Sequence, residues 1–565
     1  MNLSPEKKIA GILAPLFGLR RENDLGIGDI AALREFIDWS AESGFKLVQL
    51  LPINETGPDN SPYNAISAMA IEPTTLHLAP GSPEELTSED FEGVIADVDL
   101  TRLRHGPVKY ERVKKLKRKL LEKAAARFAN QPSKRRESDF RHFCAAEADW
   151  LDPYVLFRAL MEENDGSEAW DKWPVEQQGV ESARAWLEQQ SSEKTREFHE
   201  SEKFFRYVQW IAQQQWSDIK SYAEERGVAI MGDIPFGVSY YSADVFSRPN
   251  EFVLDWSGGA PPEIYFKDDA FTQKWGQNWG IPLYQWDVMR ERGFDWWRQR
   301  VRGVRQSFHL FRIDHVLGFY RIYSFPWRPR LNKQFLPLEW NEMLLRTGGR
   351  APHFAPRDDL SPQSCEANRH EGEEYLRVVL EEAGEGRLIG EDLGTVPDYV
   401  RPSLNSLGIA GFKIPQWEVY HGRVTPGSEY QRLSVATYAT HDHKPIRALW
   451  EEGFAEQTSG SDQARSELEK IASFANFKPS AGQIDFEKDF YPSMMEALFQ
   501  CDSWIAIVMI TDLLVRKYRF NVPGTAASSN WTRRMQRTVS QLRSSPTEKR
   551  RMKLIREMIE KSGRI

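Results

Sequence analysis

Cysteine is scarce in this chain of 565 residues: there are three, Cys144, Cys365 and Cys501, far apart and with no CxxC pair. That spacing argues against a zinc ribbon and against a disulfide-built fold, and reads as reduced thiols in a cytoplasmic protein. Long apolar runs are missing too. The longest, residues 504–510 (WIAIVMI), is too short to cross a bilayer. The apolar stretch near the N-terminus breaks at Pro15 and Gly18 and then meets Arg20 and Arg21, so neither a signal peptide nor a membrane span is expected. There is no excess of positive charge. The formal balance is −8, the opposite of the basic face that a nucleic-acid partner demands. Phosphate-cradling glycine loops are lacking as well: GIGDI at 26–30 falls short of GxGxxG spacing and follows no convincing strand. No metal-ligand cluster stands out, so no cofactor and no catalytic metal is expected.

What is present fits a large globular protein, with 41% apolar and 28% charged residues. Tryptophan is abundant, at nineteen residues. Flat aromatic faces stack on sugar rings, although most tryptophans in any fold pack in the core. Short β-branched runs recur, each ending in polar or Gly/Pro residues, with helical stretches between them. Seven are clear: 46–53, 228–236, 309–316, 387–394, 411–417, 434–442 and 504–513. An eighth, near 70–76, is weaker. Eight parallel strands with intervening helices predict a (β/α)8 TIM barrel with helical insertions, one catalytic unit over 1–565. Residues 100–226 are charged and helical, an insertion between early strands. Residues 328–374, rich in Pro, Asn, Gly and charge, read as a long loop after the fourth strand.

Barrel chemistry sits where strands end. Asp233, Asp314, Glu391 and Asp442 each close one of these runs. Carboxylates crowded at a barrel mouth repel one another and lose solvation, which marks a functional site. Two of them meet the needs of glycoside chemistry, in which one attacks the anomeric carbon while the other protonates the leaving oxygen. A third stabilises positive charge on the ring. Arg312 precedes Asp314 by two residues and so shares its strand face, where a guanidinium holds the carboxylate ionised. His441, beside Asp442, is a donor for a sugar hydroxyl.

These residues lie in stretches that resemble the amylomaltases, or disproportionating enzymes, of the wider α-amylase clan. RIDHVLGF at 312–319 resembles the family's RIDHFRGF, GEDLGTVP at 390–397 its acid/base motif, and ATHDHKPIRALWE at 439–451 its third-acid motif, near THDLPTLRGYWE. GDIPFGVSYYSADVF (232–246), SPYNAISAMA (61–70), GQNWGIPLY (276–284), FNVPGTAASSNW (520–531) and GLRRENDLGIGDI (18–30) are similar to others, all in the family's order. The resemblance implies a retaining 4-α-glucanotransferase acting on α-1,4-glucans and malto-oligosaccharides, with glucose as an acceptor. It implies Asp314 as nucleophile, Glu391 as general acid/base and Asp442 as transition-state stabiliser. Arg312 and His441 would contact the nucleophile and the sugar, and Asp233 would arrange that sugar or the network around it. Tyr63 would stack on the ring at the cleavage point, Trp279 would line the cleft, and Asn521 would reach a sugar hydroxyl further along. The sequence departs from the family at Glu263, at Met69 and Ile71-Glu72-Pro73, and at His443-Lys444-Pro445. The excursions near 258–275 and 328–374 are candidate lids that would favour transfer over hydrolysis. An α-glucan hydrolase and a non-catalytic glucan-binding protein are the competing readings.

Overall fold

The computed structural model describes residues 3–263, 269–454, 461–478, 484–523 and 528–564. Part of the 258–275 excursion (264–268) and part of the 520–531 motif (524–527) lie outside the described residues.

Eight short strands form one parallel sheet: β1 (Ile9–Leu13), β2 (Leu47–Gln49), β3 (Ala229–Ile234), β4 (Leu310–Ile313), β5 (Leu388–Gly390), β6 (Gly411–Lys413), β7 (Ser434–Ala436) and β8 (Ile505–Met509). They pair in the order β6-β7-β8-β1-β2-β3-β4-β5. A bridge between Ile389 and Ala410 joins β5 back to the chain entering β6, which closes the ring into a (β/α)8 barrel. The strands read as apolar runs because both of their faces are covered. One face meets the helices and the other fills the barrel interior, where Ile9, Leu47, Met231, Leu310, Ile389, Phe412, Val435 and Ile507 pack together.

The eighth strand is not where the sequence pattern put it. Residues 70–76 contain a single antiparallel bridge from Ile71 to Asn54 and a short turn at Pro73–Thr75, whose proline lacks the N–H that a ladder needs. The missing strand is Ile9–Leu13, the N-terminal apolar stretch, which pairs in parallel with both β8 and β2.

Between β2 and β3 runs a helical array that includes Tyr110–Asn130, Lys134–Ala146, Ala148–Glu163 and Ser192–Glu225. The last is 34 residues long. It buries Phe205, Val208, Ala212, Trp216, Ile219 and Ala223, spaced three or four apart on one face.

The segment 328–374, expected as a loop, carries helices Asn332–Phe335 and Trp340–Arg346, strand His353–Ala355 and the first half of helix Pro362–Ala383. The strand joins Phe252–Ala260, Gln277–Tyr284 and Ile322–Phe325 in a four-stranded antiparallel sheet. Its composition suggests a loop because Pro, Asn, Gly and charged residues break up its apolar positions. Phe335 and Met343 nevertheless meet Trp275, Phe325 and Trp327, contributed by other segments, in a small core of their own. The Trp327 and Phe335 rings stack at 4.0 Å.

Candidate active site

Strand parity carries the barrel interior outward into the site. Met231 on β3, Leu310 on β4 and Ile389 on β5 all fill the interior. Side chains two residues apart on a strand share a face, so the next inward positions are Asp233, Arg312 and Glu391, with Asp314 following Arg312. They emerge at the C-terminal mouth. There a cleft of about 1200 Å³ is lined by Tyr63, Arg312, Asp314, Glu391, His441 and Asp442 among others. That volume exceeds the roughly 300–1,000 Å³ of common small-molecule pockets and suits several linked sugars.

Arg312 is the hub of the group. It is buried, and its guanidinium pairs with Asp314 at 2.6 Å and also with Asp233. Burial alone would lower its pKa, but the two carboxylates hold it well above the usual value. Asp233 sits beneath the cleft and does not line it. Its Oδ2 accepts from Arg312 and from the Tyr63 hydroxyl, the latter at 2.7 Å. Burial raises the Asp233 pKa against the pull of Arg312. Asp233 is therefore a positioning residue for Tyr63 and Arg312.

Tyr63 stacks on His441 with centroids 5.0 Å apart, and Trp531 packs at 5.8 Å from each ring. The loop carrying Tyr63 is braced from behind. Glu72 accepts from the Thr56 N–H and hydroxyl, both at 2.9 Å, and from the Thr74 N–H at 3.1 Å. Gln209, on the long insertion helix, pairs with both the N–H and the carbonyl of Ile71. The departure at Ile71-Glu72 is thus a built brace, and the helical insertion supplies part of it.

Asp442 lies beyond β7, in the loop that follows, and not at the strand end itself. Burial would raise its pKa, but His441 Nε2 at 3.2 Å and the Asn521 amide at 2.6 Å hold it below the usual carboxylate range. Asn521, expected on a sugar hydroxyl, donates to Asp442. Arg519 donates to the Asp442 carbonyl oxygen.

Glu391 follows β5 and accepts the backbone N–H of His315 at 2.8 Å. Burial pushes its pKa up to about 8, and the nearby Asp314 charge adds to the rise, while Arg312 opposes it. Glu391 thus holds a proton at neutral pH while Asp314 faces a guanidinium, so one acid is protonated and one is charge-paired at the same cleft. An acid that must start protonated sets a basic limb. For donor cleavage, kcat/KM should be level through neutrality and fall as pH rises through about 8. A profile flat to pH 10 would show that Glu391 is not the proton donor.

Trp279 lines the cleft and meets the His315 ring at 4.8 Å. Of the nineteen tryptophans, Trp279, Trp340 and Trp417 are exposed, and two of these three line the cleft. Reading the sequence alone missed Trp417, Trp531, His315 and Arg519. His315 and Trp531 lie inside the motifs quoted above, so their position was a usable signal. For Trp417 the only signal was its place at the end of a strand run. The antiparallel sheet contributes Ala260, Tyr323 and Phe354 to the cleft wall. Among the described residues, no group of three or more His, Cys, Asp or Glu is arranged to hold a metal ion, and no helix is long and apolar enough to cross a membrane.

A family model described as 4-alpha-glucanotransferase matches residues 14–540. The chain is 30% identical over 547 residues to a 4-alpha-glucanotransferase of Chlamydia caviae, covering 94% of this chain and 91% of that one. It is 26% identical to a 4-alpha-glucanotransferase of Synechocystis, covering 93% of each. Among solved structures, an amylomaltase from Streptococcus agalactiae in complex with acarbose is similar with a TM-score of 0.73 at 22% identity, over 99% of this chain and all of that one. An amylomaltase from Corynebacterium glutamicum is similar with a TM-score of 0.74 at 21% identity, over 99% of this chain and 76% of that one. The two structures establish a shared fold.

Proposed function

The chain belongs to the 4-alpha-glucanotransferase family, and from that premise we propose that it passes an α-1,4-glucan segment from donor to acceptor sugar through a covalent bond to Asp314. Asp314 attacks the anomeric carbon while Glu391 gives its proton to the departing glycosidic oxygen. The ring gains positive charge in the transition state, and Asp442, kept ionised by His441 and Asn521, offsets it. In the second step Glu391, now a carboxylate, takes the proton of an acceptor hydroxyl as that oxygen displaces Asp314. Acceptors are glucose and malto-oligosaccharides.

The observation that carries this reading is the unlike state of two carboxyl groups in one cleft. Arg312 compensates the charge of Asp314 at 2.6 Å, and burial keeps Glu391 protonated. Transfer over hydrolysis is supported by the wall that the antiparallel sheet raises along the cleft, which favours a bound sugar over free water. We read the chain as one catalytic unit braced by the 100–226 helices. Three free thiols support a cytoplasmic location.

Incubation with pure maltotriose tests the proposal. A ladder of longer and shorter glucans, resolved by chromatography, is the expected result. Accumulation of glucose and maltose with nothing longer than the substrate would make the protein a hydrolase.

A further inference from the structure

The residue after Asp442 is one of the departures from the family's third-acid motif, and it stands in the cleft. His443 Nδ1 accepts the Thr440 backbone N–H at 2.9 Å and lies 2.8 Å from the Thr440 hydroxyl. An imidazole nitrogen that accepts a backbone N–H carries no proton, so the neutral ring holds its proton on Nε2. The ring is neutral in the working range, because burial pushes its pKa down to about 4. Nε2, on the opposite edge, has no protein partner among the described residues, yet it is not sealed away from solvent. The ring itself lines the cleft, with Trp417 packed 4.8 Å away at 52°. The result is a donor of fixed tautomer with no acceptor among the described residues.

Its neighbours say which sugar it would meet. His441 turns to Tyr63 and the cluster around Arg312, while His443, two residues on, turns to Trp417. In the ring of strands β6 adjoins β5, and β7 adjoins β6. The loops bearing Trp417 and His443 therefore rise on the flank of Glu391 away from Asp314. The incoming sugar must bring its hydroxyl to Glu391, and Trp417 and His443 line the same cleft on this flank.

We propose that His443 determines acceptor binding: its Nε2–H donates to a hydroxyl of the acceptor sugar held between Glu391 and Trp417. The proposal rests on the double-displacement reading above.

Two variants separate the two edges of the ring. In His443→Asn the side-chain oxygen replaces Nδ1 and keeps the Thr440 lock, but the far donor is gone. In His443→Gln the amide nitrogen falls near Nε2, so the donor is kept and the lock is lost. Transfer from saturating maltotriose to labelled glucose is measured over a range of glucose concentrations. For His443→Asn the KM for glucose should rise about tenfold, with kcat changed less than about twofold. For His443→Gln the KM should return toward that of the unaltered protein. An unchanged KM in His443→Asn overturns the proposal. So does a lower kcat in both variants without a change in KM, which would make His443 a structural support for the Asp442 loop. Failure of the unaltered protein to label any glucan would instead overturn the transfer reading.

Discussion

Asp314→Asn should leave a folded protein whose turnover of maltotriose is down by about 10⁴-fold or more. The amide has no charge and a poor lone pair, so no glycosyl bond forms. Folding should survive for two reasons. Asp314 keeps 31% of its side chain exposed, and Arg312 retains Asp233 as its other partner. Tyr63, His441 and Trp531 are untouched, so long glucans should still bind. The measurements are initial rates, circular dichroism and the affinity for a long maltodextrin. A variant with near-normal rates would remove Asp314 from the mechanism. One that loses its fold would show instead that the acid is needed to balance Arg312.

Glu391→Gln should slow transfer from natural donors by about 10²–10⁴-fold, the usual contribution of a general acid. The loss should depend on the donor. One with an activated leaving group, such as a glucosyl fluoride, departs without proton help, so its first step is largely spared. The second step still lacks a base for the acceptor hydroxyl. The glycosyl–enzyme should then accumulate, seen as a mass increase on the intact protein after mixing with the fluoride. The basic limb near pH 8 should vanish in the same variant, because the titrating group is gone. Equal losses on both donors, with the limb unmoved, would assign the proton donor elsewhere.

Much of this site is legible in the order of residues along the chain. The acids end apolar runs, and a strand buried on both faces must be apolar until it reaches the rim. A polar residue near that point is therefore visible as an interruption, as at Arg312 and Asp314 toward the end of β4 and at Glu391 after Leu388–Gly390. Asp442 is legible by motif only, since a loop separates it from Ser434–Ala436. Ile9–Leu13 is not legible as a strand. It has five residues, and its partner on one side is Ile505–Met509, at the far end of the chain. Local pattern carries no information about a pairing of that range. The same holds for 328–374, whose helices exist because Phe335 and Met343 find Trp275 and Phe325.

The barrel's alternation and the parity that points Arg312 and Asp314 the same way are readable along the chain, because each depends on neighbours a few residues apart. That Asp233 stays below the cleft beneath Tyr63 and Arg312, that Asn521 donates to Asp442, and that Glu391 keeps its proton while Asp314 is paired with Arg312 emerge once the ring has closed. The reason is physical. Protonation and hydrogen bonding follow from burial and from charges brought together across the ring, and a linear chain does not contain those distances until it closes.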